Sequence, residues 1–227
     1  MVQVNQHNSK KVLVFSILFF LVSVLELTGV YQKKIVLEFI FKPLLMVSLA
    51  AFYLVSVKKP SFLYLSALFF SFWGDLLLLF PEKFFVLGLV SFLITHLIYI
   101  KVIKGFLQKL SIITFMKYGI IFLVYFGAIV FFIKDNLNEL LIPVIVYGLV
   151  ISSFGTFALI NYLKNKATEN LWLFIGAIIF ILSDSTIAIN KFYLIQADLG
   201  MIIMITYIVA QYFICKAIIS KSLNSEL

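Results

Sequence analysis

SFWGDLLLLF, residues 71–80, and FILSDSTIAI, residues 180–189, decide how this chain is read. Each sets one aspartate, Asp75 or Asp184, inside a long apolar run, in a chain with only ten acidic residues. About 20 consecutive apolar residues cross the hydrocarbon core of a bilayer as a helix. A carboxyl at that depth costs at least ~2.5 kcal/mol on insertion scales, and groups kept there serve proton chemistry or ion paths. The same two stretches therefore give a fold class and two candidate functional residues.

Composition agrees. The chain is 63% hydrophobic and 12% charged, which excludes an ordinary soluble domain. The net charge of +8 would suggest nucleic acid in a soluble protein. Here the lysines lie between apolar runs and read as topology signals, so no nucleic-acid partner is expected. All 18 basic residues are lysine, and the single cysteine, Cys215, excludes an intramolecular disulfide. Lys10 and Lys11 before the run from Val12 to Leu25 resemble a signal peptide. No small-x-small cleavage site follows, so the run is expected to be an uncleaved first helix.

Eight spans are expected, at 12–30, 35–57, 61–80, 84–103, 113–133, 138–161, 171–190 and 200–219, forming one all-α transmembrane domain over 1–227 with a short cytoplasmic tail at 1–11. Pro60, Pro81 and the Asn/Lys clusters mark breaks. Twelve lysines fall on the side of the N-terminus, including Lys58, Lys59, Lys109 and Lys221, and five on the other. The positive-inside rule then puts both termini in the cytoplasm, and a bacterial cytoplasmic membrane is the expected location. Asp75 lies six residues before Pro81 and Asp184 seven before Lys191. At 1.5 Å per residue both sit ~9–10 Å below the outer surface, and Lys42 enters to a similar level. One shared cavity, open outward, is the expectation.

The two halves also echo each other. Pro43 matches Pro143, Asp75 matches Asp184 and His96 matches Gln211, at offsets of 100, 109 and 115. Two parallel four-helix repeats would place the acids across a pseudo-twofold axis. Coincidence among apolar segments is the alternative.

Other residues could join the acids. Ser71 and Asp75 share a helical face, and Gly74 permits close approach. Ser183 and Ser185 flank Asp184, and Asn190 and Lys191 follow at the mouth of the same span. Lys42 beside Pro43 is a candidate ligand for an anionic group such as phosphate; an ion pair with Glu38 or snorkelling to the interface would explain it equally well. His96 shares a face with Tyr99, and Tyr207 with Gln211. A lone histidine on an apolar face is more often a core hydrogen-bonder than a catalyst, and Tyr207 with Gln211 would bind substrate or simply join helices. No histidine cluster for zinc, no G-x-S-x-G and no Cys/His pair occurs, so no metal site or cofactor is expected and serine chemistry is excluded.

Taken together, Lys42-Pro43, Gly74-Asp75-Leu76-Leu77, His96 with Tyr99, Pro143 with Tyr147, the stretch GAIIFILSDSTIAINKF at 176–192, and Tyr207, Ala210 and Gln211 resemble the YhhN-like lysoplasmalogenase family of multi-pass membrane proteins. The resemblance implies hydrolysis of the vinyl ether bond of lysoplasmalogens to a fatty aldehyde and a glycerophospho-alcohol, without metal. It implies Asp75 and Asp184 as the catalytic pair. The expected partners are a lysophospholipid substrate and membrane lipids, with Lys42, His96, Tyr99, Ser183, Asn190, Lys191, Tyr207 and Gln211 as substrate-binding candidates. The chemistry suits two carboxyls: one protonates the alkene carbon, and the other stabilises the oxocarbenium ion and activates water, as in glycosidases. A proton-coupled transporter using the same two aspartates is the rival class. A non-catalytic lipid-binding or sensor protein is a third.

Overall fold

The computed structural model describes residues 6–107, 110–194, 196 and 198–224. Lys109, counted above among the cytoplasmic lysines, lies outside them. Eight helices follow in order: α1 (Gln6–Gln32), α2 (Ile35–Ser56), α3 (Phe62–Leu77), α4 (Pro81–Phe106), α5 (Ile112–Ile133), α6 (Leu141–Lys164), α7 (Thr168–Phe192) and α8 (Asp198–Asn224). Two single 3₁₀ turns join α5 to α6, and the described residues include no strand. An apolar solvent leaves helices as the simplest way to satisfy every backbone group within one segment.

Seven helices are long and apolar enough to cross a membrane, so the chain is a multi-pass membrane protein. The eighth, α3, is shorter, with 16 residues where a span over 61–80 was expected. At 1.5 Å per residue it reaches ~24 Å against a hydrocarbon core of ~30 Å. The run Leu78-Leu79-Phe80 is apolar enough to continue the span but is not helical. The residue before a proline is pushed out of the α region. Phe80, before Pro81, takes φ −123° and ψ 64°, and Pro81 opens α4 at a position where its missing N–H is harmless. The Leu78 N–H closes α3 on the Gly74 carbonyl at 3.0 Å. Asp75 consequently sits in the last turn of α3, not deep within a long span.

The hairpins α1/α2, α3/α4 and α7/α8 pack most extensively. α4 also packs on α6, α6 lies between α5 and α7, and α8 reaches α1 and α2. Gly176 sets the α7–α8 spacing: a Cβ there would lie 3.1 Å from the Ala210 carbonyl oxygen. Small residues permit this approach where helices gain little from the hydrophobic effect. The main core collects Phe19, Leu45, Leu49, Tyr53, Tyr64, Phe154 and Phe180, all fully buried, where α1–α4 meet α6–α8.

Candidate functional site

The ends of α1, α3 and α7 and the starts of α2, α4 and α8 surround a cavity of about 480 Å³. Its rim carries Lys42 and Glu38 from α2, Glu82 from α4, and Asn190 and Lys191 from α7. Lys191 Nζ stands 4.8 Å from the centre of the Phe85 ring, which also lines the cavity. The rim thus sets two lysines and two glutamates over a floor of apolar side chains.

That floor is an apolar collar of Val30, Leu78, Ile187, Ile203 and Met204. Helical spacing places a polar side chain one turn beneath each part of it. Glu26 is four residues before Val30, Asp75 three before Leu78, Asp184 three before Ile187, and Tyr207 three after Met204. The mouth cavity thus stops one turn short of the acids.

Two smaller cavities of about 50 Å³ each lie below the collar, with room for a few waters. Asp184 and Tyr147 line both. One shares Leu78, Phe85 and Ile187 with the mouth. The other runs between α5, α6 and α7, past Tyr125, Phe126 and Ile129. Asp75 lines neither. The Phe92 ring, a wall of the first cavity, lies against Gly74, where a Cβ would come within 2.5 Å of it. Its edge meets Tyr207 and Phe180 at centroid distances of 5.8 and 6.2 Å. Phe92 therefore packs on the residue next to Asp75, against the tyrosine bonded to that acid.

Each aspartate is held by a tyrosine. Tyr207 Oη donates to Asp75 Oδ2 at 2.8 Å, and Tyr147 Oη donates to Asp184 Oδ2. Behind Tyr207 runs a buried network. Tyr99 Oη donates to Gln211 Oε1 at 2.7 Å, and Gln211 Nε2 donates to Ser71 Oγ at 3.1 Å and to Tyr207 Oη at 3.4 Å. Ser71 continues to Thr95 at 3.3 Å. Such chains polarise one another and fix orientation. Behind Tyr147 stands His96. Its Nδ1 lies 2.7 Å from the Phe92 carbonyl oxygen, which can only accept, so Nδ1 carries the proton. The bare Nε2 has no hydrogen-bond partner among the described residues and lies 4.0 Å from Asp184 Oδ2.

The sequence-chosen residues divide into groups. Lys42, Asn190 and Lys191 line the mouth. His96 stands beside Asp184, and Tyr99, Tyr207 and Gln211 stand behind Asp75. Ser183 is fully buried and donates to the Ile203 carbonyl at 3.0 Å, bracing α7 on α8. Tyr147, Thr95 and Phe92 were not singled out as site residues, although Tyr147 stands one turn after Pro143. Glu26, fully buried, was passed over because it ends the run that resembles a signal peptide.

The YhhN family model matches residues 37–218. The chain belongs to the YhhN family. The match takes in Asp75, Asp184 and every substrate-binding candidate, and begins beyond Glu26. No curated protein and no solved structure matches the chain. Among the described residues of this YhhN-family protein, no three His, Cys, Asp or Glu side chains gather as a metal site would require.

Proposed function

We propose that this protein hydrolyses the vinyl ether bond of lysoplasmalogens within the membrane. One observation carries the reading. Asp184 lines two small cavities, one sharing Leu78, Phe85 and Ile187 with the mouth that carries Lys42 and Lys191, the other apolar and set between α5, α6 and α7. A lysophospholipid has the same order of parts: an anionic phosphate, a reactive ether and a hydrocarbon tail. Lys42 and Lys191 would hold the phosphate, the collar would pass the ether, and the α5–α7 side would take the tail.

The acid roles follow from what each carboxyl touches. Asp184 adjoins space for water and activates it. Asp75, away from that space, donates the proton, and Phe92 must swing aside for substrate to reach it. Asp75 protonates the terminal alkene carbon, leaving an oxocarbenium ion at the carbon bonded to the ether oxygen. Asp184 takes a proton from water as the water oxygen adds there. The resulting hemiacetal collapses as Asp184 passes a proton to the ether oxygen and receives the one lost by the hemiacetal hydroxyl. Aldehyde and alcohol leave. Fixed carboxyls beside a developing cation supply the electrostatic part of catalysis.

We also propose that all eight helices cross the membrane, α3 by local thinning of the bilayer. Both termini would be cytoplasmic, in a bacterial cytoplasmic membrane. A four-helix duplication draws support from one exchange. Each acid, on the third helix of its half, lies against the fourth helix of the other half: Asp184 by His96, Asp75 by Tyr207. The deciding experiment incubates purified protein with a lysoplasmalogen in detergent and assays aldehyde. Hydrolysis needs one compartment, whereas proton-coupled transport needs two. Aldehyde release supports the hydrolase, and its absence, with proton flux in proteoliposomes, supports the transporter.

A further inference from the structure

Glu26 is unlike the other two acids. It is 0% exposed on α1, and neither of its carboxyl oxygens has a hydrogen-bond partner among the described residues. A buried polar group without a partner costs on the order of a few kcal/mol. Asp75 and Asp184 avoid that cost through their tyrosines. Glu26 lies one turn before Val30 on α1 and Asp75 one turn before Leu78 at the end of α3, and Val30 and Leu78 both line the mouth cavity. Val30, one turn along α1, lines the mouth cavity together with Lys42 and Glu38. Glu26 therefore lies one turn beneath the collar on α1, as Asp75 does on α3.

The hydrolase reading leaves a task for a group in that place. Each cycle ends with Asp75 short of one proton and Asp184 holding one extra. The surplus at Asp184 leaves into the small cavities that Asp184 lines, whereas Asp75 lines neither, so its deficit needs a different route. We propose that Glu26 is a relay that carries protons from water in the mouth cavity to Asp75. Glu26 gives its proton to the Asp75 carboxylate, directly or through one water. It then takes a proton from mouth water, and the proton released by Asp184 restores the balance in solution. This role rests on the hydrolase reading only in its purpose; the exchange of protons between Glu26 and Asp75 is independent of any substrate.

The test uses full-length protein in lipid nanodiscs. Infrared spectra after transfer to heavy water follow the carbonyl stretch of Asp75, assigned by its loss in Asp75→Asn. In Glu26→Gln, exchange at Asp75 is expected to slow at least ~10-fold, with Glu26→Asp partly restoring it. In the turnover assay, Glu26→Gln is expected to lower kcat by about tenfold, short of the ~10²–10⁴ of direct acid–base help, with KM unchanged. Added formate or azide, small enough to carry protons past the collar, should recover part of that loss. Unchanged exchange at Asp75 in Glu26→Gln overturns the relay. So does a loss of kcat that neither Glu26→Asp nor small acids restore, which would mark Glu26 as structural. If wild-type protein releases no aldehyde, the hydrolase reading fails while the exchange measurement still decides the relay.

Discussion

Tyr207 reaches from α8 to α3 and holds the Asp75 carboxyl through a 2.8 Å hydrogen bond. Tyr147 on α6 does the same for Asp184 on α7. Each hydroxyl fixes where its acid points, and a hydrogen bond to a charged group is worth ~1.5–3 kcal/mol. Tyr207→Phe and Tyr147→Phe are each expected to lower turnover by ~10–100-fold, at about 1.4 kcal/mol per decade. KM should change little, since neither hydroxyl faces the mouth. Aldehyde release at saturating substrate checks this, and near-normal turnover in either variant would remove that tyrosine from the site.

Replacing either acid by its amide keeps the shape and removes the proton. Asp75→Asn and Asp184→Asn are expected to lose ~10²–10⁴-fold in activity, the usual worth of acid–base help. Both proteins should still extract as folded monodisperse species, because an amide remains able to accept from Tyr207 or Tyr147. Size-exclusion profiles and aldehyde assays on the same preparations separate lost chemistry from lost fold. An active Asp184→Asn would contradict water activation at that residue.

Hydropathy made most of this architecture readable, because a helix in lipid needs only length and apolar composition to be seen. It failed at α3. Leu78-Leu79-Phe80 is as apolar as any span, yet the pre-proline constraint at Phe80 ends the helix at Leu77, and composition does not register a backbone angle. Asp75 and Asp184 stood out because charge is rare in such runs. Glu26 is as buried, but it lies near the end of the first expected span, 12–30, where the apolar run gives way to polar residues and an acid draws no notice. The neutral partners were harder. Tyr207 was legible through its i, i+4 partner Gln211, whereas Tyr147, with no polar neighbour on its helical face, gained a role only when the fold set it against Asp184. Ser183 shows the reverse: its neighbour made it look functional, whereas its hydroxyl is spent on the Ile203 carbonyl.

Sidedness can be checked directly. The twelve-to-five lysine division predicts cytoplasmic termini and an external mouth, with the turn before Pro81 outside. Reporter fusions at the C-terminus, and labelling of a cysteine introduced at Glu82 in a Cys215→Ala background, test both ends. A C-terminus found outside would remove α3 or another helix from the set that crosses.

Gly74 and Phe92 test the wall beside Asp75. A methyl at Gly74 would come within 2.5 Å of the Phe92 ring, so the ring must move. Gly74→Ala is expected to destabilise the protein by ~1–3 kcal/mol, the usual cost of overpacking. In a Phe92→Ala background the same change should be nearly neutral, because the clash is gone. Thermal denaturation of the four proteins in detergent gives the coupling between the two sites. An equal cost in both backgrounds would mean that Phe92 does not rest on Gly74.

Labelled water tests the bond that breaks. If Asp75 protonates the alkene carbon and Asp184 directs water to the oxocarbenium ion, the solvent oxygen enters the aldehyde and the glycerol oxygen stays with the alcohol. Attack of water at the glycerol carbon would instead put solvent oxygen in the alcohol and release an enol. Deuterium does not separate the routes, since an enol also gains deuterium at carbon on becoming an aldehyde. Aldehydes exchange their oxygen with water, so the glycerophospho-alcohol is the product to weigh. Mass spectrometry of that product in ¹⁸O water should find only unlabelled oxygen at the former ether position. Label found there would rule out protonation of the alkene carbon followed by water addition, and with it the two-carboxyl mechanism.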